Sequence, residues 1–372
     1  MSLYRNSIKP SLKNFLKRQG LFLQAKRVQS LIYIIFLPES RHKEVDRKHG
    51  FRQARKRAKK LQKYIFSNLP FEMVEKCPLS YETKECERTI VATHDRYGFP
   101  VRLALCHETG LLYLVDRLTP NGYDTFYKHG LYRKLVADFW GWSKDKEGKK
   151  SSLIKQNIGA KADAQVIVNA VKPYISFPDN ATLLDIGGST GALAKAFVDV
   201  FHIKATVLDP AEEELKIAAS LGLETKLGVM EQTNFRKDEK YNIILVNQTI
   251  EHVINILDVF KKIDLLLDTN GYVIFNILDF LSEIERMGCA EAASRLDHCH
   301  FLYDEMIDIF CKRVGLNIKK RLWFNGNSIL YICCKGKADP AATLPEERRL
   351  QILRRLDVCQ DAWEHSPYFW RL

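Results

Sequence analysis

Residues Thr182-Leu-Leu-Asp-Ile-Gly-Gly-Ser-Thr-Gly-Ala-Leu-Ala-Lys-Ala-Phe197 read as a buried strand, a glycine turn and the first turns of a helix, with no residue to spare. Leu183, Leu184 and Ile186 form the short apolar run that a parallel strand carries when both its faces are covered. Gly187, Gly188 and Gly191 let the backbone turn tightly and let a ligand approach the main chain. Beyond them Leu193, Ala194, Phe197, Val198 and Phe201 fall at helical spacing. The turn therefore delivers free backbone N–H groups at a helix N-terminus, where polar or anionic ligand groups are welcome. A dinucleotide fingerprint would place glycines at the first, third and sixth positions, but counting from Gly187 gives Ser189 and Ala192.

Further strands and helices follow at regular intervals. Ala205-Thr-Val-Leu-Asp-Pro210 reads as a second strand ending in an acid, Glu212 to Leu221 as a helix, and Glu224 to Leu227 as a third strand. Tyr241-Asn-Ile-Ile-Leu-Val-Asn247 is a fourth strand leading into Gln248-Thr-Ile-Glu-His-Val253. Ile254 to Asp268 forms an amphipathic helix, Thr269-Asn-Gly271 a turn, and Tyr272 to Ile277 a fifth strand. Leu281 to Leu296 reads as helical, and Asp297-His-Cys-His-Phe-Leu-Tyr303 as the opening of a further helix through Val314. Leu316 to Phe324 and Ser328 to Cys334 are strands joined by Asn325-Gly-Asn327, a strong hairpin signal.

With Asp185 two residues before Gly187, the opening stretch resembles motif I of the class I S-adenosylmethionine-dependent methyltransferases, Asp/Glu-x-Gly-x-Gly-x-Gly, with Ser189 in place of the middle glycine. Ile250-Glu-His-Val253 resembles the Leu-Glu-His-Val signature after the fourth strand in one large branch of these enzymes. The resemblance implies a Rossmann-like α/β sheet of order 3-2-1-4-5-7-6 with the last strand antiparallel, and S-adenosylmethionine as cofactor. It places Gly187, Gly188, Ser189 and Gly191 at the amino acid end of that cofactor, and Asp209 on the ribose hydroxyls, whose two protons a carboxylate accepts well. Asp185 would organise the amino group or the loop, or simply cap the turn; Asp209 has its own plainer reading as a helix N-cap ahead of Glu212. The family's adenine-binding acid belongs in a Gly-Asp pair, but Gly228 is followed by Val229, leaving adenine to main chain, Glu231 or Gln232. Asn247, Gln248 and Glu251 would lie near the methyl group.

Methyl transfer needs positioning first and a base second. His252, His298 and His300 are the imidazoles at hand, of which His252 and His300 are the catalytic candidates. His252 stands in the Glu-His-Val run, where the side chain is structural or faces substrate. His300 occupies a place where related enzymes set a substrate-facing imidazole, and a satisfied structural histidine is the competing reading.

The chain has 372 residues and nine cysteines, an odd number; with no cleavable signal peptide pattern this argues for reduced thiols in a cytoplasmic setting. Residues 1–63 hold 18 Lys or Arg against three acids, a net of +15, so the other 309 sum to −3 within the whole-chain +12. Ser30-Leu-Ile-Tyr-Ile-Ile-Phe-Leu37 is apolar but far short of the roughly 20 residues a bilayer span needs. Three partners fit this leader. It can pack on protein with its cations solvated, or attach peripherally to an anionic inner membrane face. In the second case Arg5, Lys9, Lys13, Lys17, Lys26 and Arg27 meet headgroups while Phe15, Leu21, Phe22 and Leu23 dip into the interface. It can also grip nucleic acid through Arg52-Gln-Ala-Arg-Lys-Arg-Ala-Lys-Lys60, although that run lacks interleaved aromatic residues.

Cys77-Pro-Leu-Ser80 and Leu105-Cys-His-Glu-Thr-Gly-Leu-Leu-Tyr113 resemble the two knuckles of a zinc ribbon found ahead of some sugar and natural-product methyltransferases. Leu118-Thr-Pro120 and Tyr123 to Tyr127 echo the Pro and aromatic-rich helix that follow it. Ser80 and Thr109 stand where two of the four thiolates belong, and Cys86, His94 and His107 match no knuckle spacing, so a metal-free relic is expected. The organisation expected is a basic helical leader (1–70), a degenerate ribbon-like module (71–140), a methyltransferase domain (151–336) and a helical tail (337–372). The expected function is methylation of a small polar acceptor, a sugar or glycan precursor, at a membrane surface. An RNA methyltransferase and a cofactor-binding pseudoenzyme are the alternatives. Val246-Asn-Gln-Thr249 lacks the Asn/Asp-Pro-Pro-Tyr/Phe run used on base amino groups.

Overall fold

A computed structural model describes residues 39–80, 87–142, 153–324 and 326–364. The chain forms two compact units, residues 1–53 with 361–372, and residues 54–360. Within the first, Phe51 meets Trp363 edge-on with ring centres 5.9 Å apart. The leader's residues 1–38, the apolar run 30–37 among them, lie outside the described residues, as do Cys86 and the last aromatic residues, 368–370.

Helix α1 (Glu39–Asn68) runs into the second unit, where Ala54, Ala58, Leu61 and Ile65 are buried at helical spacing. Short strands β1 (Phe71–Met73), β2 (Arg88–Ala92), β3 (Leu103–Cys106), β4 (Leu112–Leu114) and β5 (Asp116–Leu118) follow, then helices α2 (Pro120–Lys128) and α3 (Leu131–Trp140). Thr119 caps α2 by accepting the Gly122 N–H at 3.1 Å, and Pro120 occupies the first turn, where no N–H is needed. The remaining elements are α4 (Leu153–Val171), β6 (Thr182–Ile186), α5 (Ala192–Phe201), β7 (Lys204–Asp209), α6 (Glu212–Ser220), β8 (Glu224–Leu227), β9 (Tyr241–Asn247), α7 (Ile256–Leu266), β10 (Leu267–Leu278), α8 (Phe280–Met287), α9 (Ala290–Ala293), β11 (His300–Phe301), α10 (Asp304–Val314), β12 (Leu316–Phe324), β13 (Ser328–Lys335) and α11 (Glu346–Glu364).

Seven strands form one sheet in the order β8-β7-β6-β9-β10-β13-β12. Pairs from β8 to β10 are parallel, and β13 runs antiparallel to both its neighbours. This is the class I methyltransferase arrangement expected from the sequence, with its antiparallel hairpin; Asn325 of the hairpin turn lies outside the described residues. One core layer gathers Val168, Leu183, Phe197, Ile243 and Ile332, all fully buried. Elsewhere Phe260 stacks on Phe310 at 5.3 Å and Phe275 on Tyr331 at 4.9 Å.

Three local expectations are corrected. The strand β10 begins at Leu267, and Thr269-Asn-Gly271 is a bulge within it rather than a free turn. The helix expected over 281–296 is broken at Gly288, whose φ of 104° no helix tolerates. His300-Phe301 opens no helix but forms β11, which pairs with β4 to make the sheet β11-β4-β3-β2. Through that pairing the segment 71–140 and the methyltransferase sheet belong to one compact unit.

The two ribbon-like knuckles fold as tight turns. Ser80 N–H donates to the Cys77 carbonyl at 3.0 Å and Gly110 N–H to the Cys106 carbonyl at 2.9 Å. The turns meet where Cys77 Sγ lies 3.2 Å from Thr109 Oγ1. His94 and His107 turn to their own neighbours, Thr93 and Thr89. Among the described residues no helix is long and apolar enough to cross a membrane.

Candidate active site

A cavity of about 520 Å³ opens at the carboxyl ends of β6, β7 and β9, where ligands enter open α/β sheets. Its walls come from the glycine turn (Gly187, Ser189), from Asp209, from Asn247 and Gln248, and from α2 and α3. The turn is held in the left-handed region at Gly187 (φ 67°), Ser189 (φ 53°) and Gly191 (φ 72°). A Cβ on Gly187 would stand 2.5 Å from Thr249, and one on Gly188 2.5 Å from the Asp185 carboxylate. Neither site has room for a side chain.

Asp209 and the turn converge. Asp209 Oδ2 accepts the Ser189 N–H at 2.8 Å and Oδ1 accepts the Ala211 N–H at 2.8 Å. Each oxygen keeps a second lone pair for a hydroxyl donor. Burial pushes the Asp209 carboxyl up to about 6, against the pull of the Ala211 and Ser189 amides, and Glu214 adds to the rise. Asp185 sits beneath the turn, 1% exposed and outside the cavity walls, and burial followed by the charge of Asp209 raises it to about 7.

Other expected residues divide between wall and support. Gly188 and Gly191 shape the turn without lining the cavity. Gln248 lines it from a left-handed backbone (φ 50°) pinned by its N–H on the Asn276 carbonyl at 3.1 Å. Asn247 lines it too, and its buried Oδ1 has no hydrogen-bond partner among the described residues. Glu231 reaches the wall with Oε1 accepting the Ile254 N–H at 2.8 Å. Glu251, expected near the methyl group, is instead a buried post: it is 1% exposed, lies outside the walls and accepts the Leu278 N–H at 3.1 Å, with its pKa raised by burial.

The histidines separate clearly. His252 lines the cavity. Its Nδ1 lies 2.6 Å from the Asp297 carbonyl oxygen, which can only accept, so Nδ1 carries a proton and Nε2 is the nitrogen left to exchange one. Tyr127 Oη donates to the same carbonyl at 3.2 Å. His300, by contrast, is fully buried in β11 and outside the walls, with Nε2 3.3 Å from the Ile254 carbonyl and a pKa pushed down by burial to about 3. It is a core histidine, because the strand pairing that buries it removes it from the cavity. His298 is buried against the His252 ring at 4.6 Å, and burial holds it well below its ordinary value.

Several wall residues were not expected at the site: Arg133 and Tyr132 carried no sequence signal, and Tyr123 and Tyr127 stood out only as part of an aromatic-rich helix. Arg133, at the start of α3, pairs with the Glu214 carboxylate and donates to Ser189 Oγ at 3.0 Å, bringing a cation to the glycine turn. Tyr123, Tyr127 and Tyr132 add three phenol rings, two of them edge-on to His252 at 6.1 and 5.9 Å. They lie roughly 50 to 130 residues from the motifs they face, a proximity that only folding creates.

A family model described as a methyltransferase domain matches residues 129–320. No curated protein matches the chain. Among solved structures, a methyltransferase of Thermotoga maritima shares 20% identity over 49% of this chain and 94% of its own, with a TM-score of 0.39. An S-adenosylmethionine-dependent methyltransferase of Clostridium acetobutylicum shares 16% over 55% and 99%, also with a TM-score of 0.39. The cavity fits that cofactor's polar ends, offering a paired acid and amide, a cation and a backbone that Cβ atoms would block. The chain belongs to the methyltransferase-domain family and is an S-adenosylmethionine-dependent methyltransferase.

Proposed function

We propose that the chain methylates a hydroxyl or amine of a small polar acceptor, a sugar or glycan precursor, with His252 as the base. The observation that carries this reading is the bond between His252 Nδ1 and the Asp297 carbonyl, which leaves Nε2 as the proton-exchanging nitrogen of a ring lining the same cavity as Asp209 and Ser189. When bound, S-adenosylmethionine supplies an electrophilic methyl group on sulfur. Asp209 would hold the ribose hydroxyls, the turn from Gly187 to Gly191 with Arg133 the amino acid end, and Glu231 or the nearby main chain the adenine. Asn247 and Gln248 would orient the reacting groups, and His252 Nε2 would take the acceptor's proton as the new bond forms. Tyr123, Tyr127 and Tyr132 support a ring-shaped acceptor, since their faces pack on apolar C–H edges while polar groups fix orientation. The ribbon-like knuckles support the sugar-methylating branch, and the substitution of two thiolates by Ser80 and Thr109 supports a metal-free form of it.

A radiolabelled methyl donor offered with lipid-linked and nucleotide-activated glycans, and separately with RNA, tests the acceptor. Label is expected in a glycan and to fall about 10²- to 10⁴-fold in His252→Ala with donor binding retained. Label in RNA alone, or an undiminished His252→Ala rate, would refute this reading.

A further inference from the structure

We infer that the exposed face of α1, together with Trp142, forms a docking surface for an anionic lipid bilayer. Lys56, Lys59, Lys60 and Lys63 are all exposed and recur at the three- and four-residue steps that put side chains on one side of a helix. The opposite side, with Ala54, Ala58, Leu61 and Ile65, is buried. The stripe is therefore displayed outward and fixed in place. Large apolar groups accompany it: Tyr64 is 54% exposed and Phe66 45%.

A third ring is brought to the same helix from far along the chain. Arg57 donates to the Phe139 carbonyl at 2.6 Å, so that its guanidinium caps the C-terminal end of α3 and lies against Gly141. Trp142, the next residue, is tied back by its N–H on the Ala137 carbonyl at 2.8 Å, stacks on Trp140 at 6.0 Å and is 59% exposed. The aromatic group missing from the basic run in the sequence is thus supplied by the fold.

Lysines that reach phosphates on flexible stems, beside rings that settle at headgroup depth, are the anatomy of an interfacial helix. Two features favour lipid over nucleic acid. The exposed cations of the stripe are lysines, whereas Arg57 donates to main-chain carbonyls, so the bidentate phosphate chemistry of that guanidinium is not offered. Trp140 and Trp142 stack on each other, which occupies one face of each ring that a base would need. Charge attraction to the surface falls off within a Debye length, so attachment should be salt-sensitive and reversible. This surface goes beyond the proposed acceptor chemistry and does not depend on it.

The test uses the full chain and sedimentation with phosphatidylcholine vesicles, with and without phosphatidylserine, at low and high salt. The wild type is expected to pellet only with the anionic vesicles and to be released by salt. The triple variant Lys56→Glu, Lys60→Glu, Lys63→Glu should lose at least tenfold in vesicle affinity, and Trp142→Ala several-fold. Donor binding by calorimetry, unchanged in both variants, reports that the fold is intact. Should the triple variant fail that check, Lys60→Gln with Lys63→Gln replaces it under the same expectation. Wild-type binding on anionic vesicles that the variants retain would overturn the inference. So would binding equal on neutral vesicles, or a preference for a single-stranded RNA probe over the anionic vesicles that the same variants abolish.

Discussion

Asp185 is a carboxyl buried under a glycine turn, and that placement has a pH signature. Its pKa is raised from 3.8 to about 7, first by burial and then by Asp209. A folded-state value above the unfolded one means that the fold holds an extra proton in the interval. The stabilising contribution is therefore complete below about pH 4 and is lost as pH rises through about 7. Replacement by a neutral isostere removes the penalty. Asp185→Asn is expected to stabilise the ligand-free chain at pH 8 by something on the order of 4 kcal/mol and to change little at pH 4, as read by urea unfolding. Equal effects at the two pH values would mean that Asp185 is not a buried charge. Glu283 has the opposite sign, lowered to about 2 by the Arg286 and Arg96 guanidinium groups that outweigh its burial, so its contribution is lost only in acid. The histidines follow the same logic of placement: neighbours in sequence, His298 and His300 are buried, while His252, in a different loop, reaches the cavity.

The glycine turn between β6 and α5 is the element that makes the site. Gly187→Ala would force a Cβ into a left-handed residue and to within 2.5 Å of Thr249. The conformational penalty alone is about 1–2 kcal/mol, and displacing Thr249 adds to it. Unfolding stability is expected to fall by at least about 2 kcal/mol, with donor affinity falling alongside it; an unchanged variant would show that the turn is not held as described. Ser189 explains why the family motif carries a glycine at its position, since its φ of 53° is one that glycine adopts freely. The serine there is compensated by the bond from Arg133 to its hydroxyl. This element was legible in the sequence because its signals are local: an apolar strand, three glycines and a helical stripe within sixteen residues. β11 was not, because two residues carry no periodicity and His300-Phe301 becomes a strand only by meeting Leu112 and Tyr113. Likewise Glu251 and His300 sit beside motif residues in sequence, and only the packing of β4 and β10 reveals that they face inward.

Across the second compact unit, the small sheet and the large one are tied together at several points. Tyr303 Oη donates to the Gly110 carbonyl at 2.8 Å, Arg313 Nη1 to the Leu79 carbonyl at 2.7 Å, and Tyr123 Oη to the Leu296 carbonyl at 2.9 Å. All three are buried bonds, and removing one side leaves polar groups without partners in the interior. A fragment beginning at residue 151 is therefore expected to be insoluble or molten, while the full chain loses residues 71–140 and the large sheet in one thermal transition. Two separated transitions, or a well-folded fragment, would show that the segments are independent. The charge asymmetry belongs to this scale as well, residues 1–63 carrying a net +15 while the others sum to −3. The most direct measurement of the central claim, that Asp209 and the amides of the glycine turn converge on one adenosyl ligand, is calorimetric titration of S-adenosylmethionine into the wild type and Asp209→Ala. A single site is expected in the wild type, weakened at least about tenfold in the variant by loss of the bonds to the ribose, each worth roughly 1.5–3 kcal/mol. Equal affinity in the two proteins, or no binding to the wild type, would contradict it.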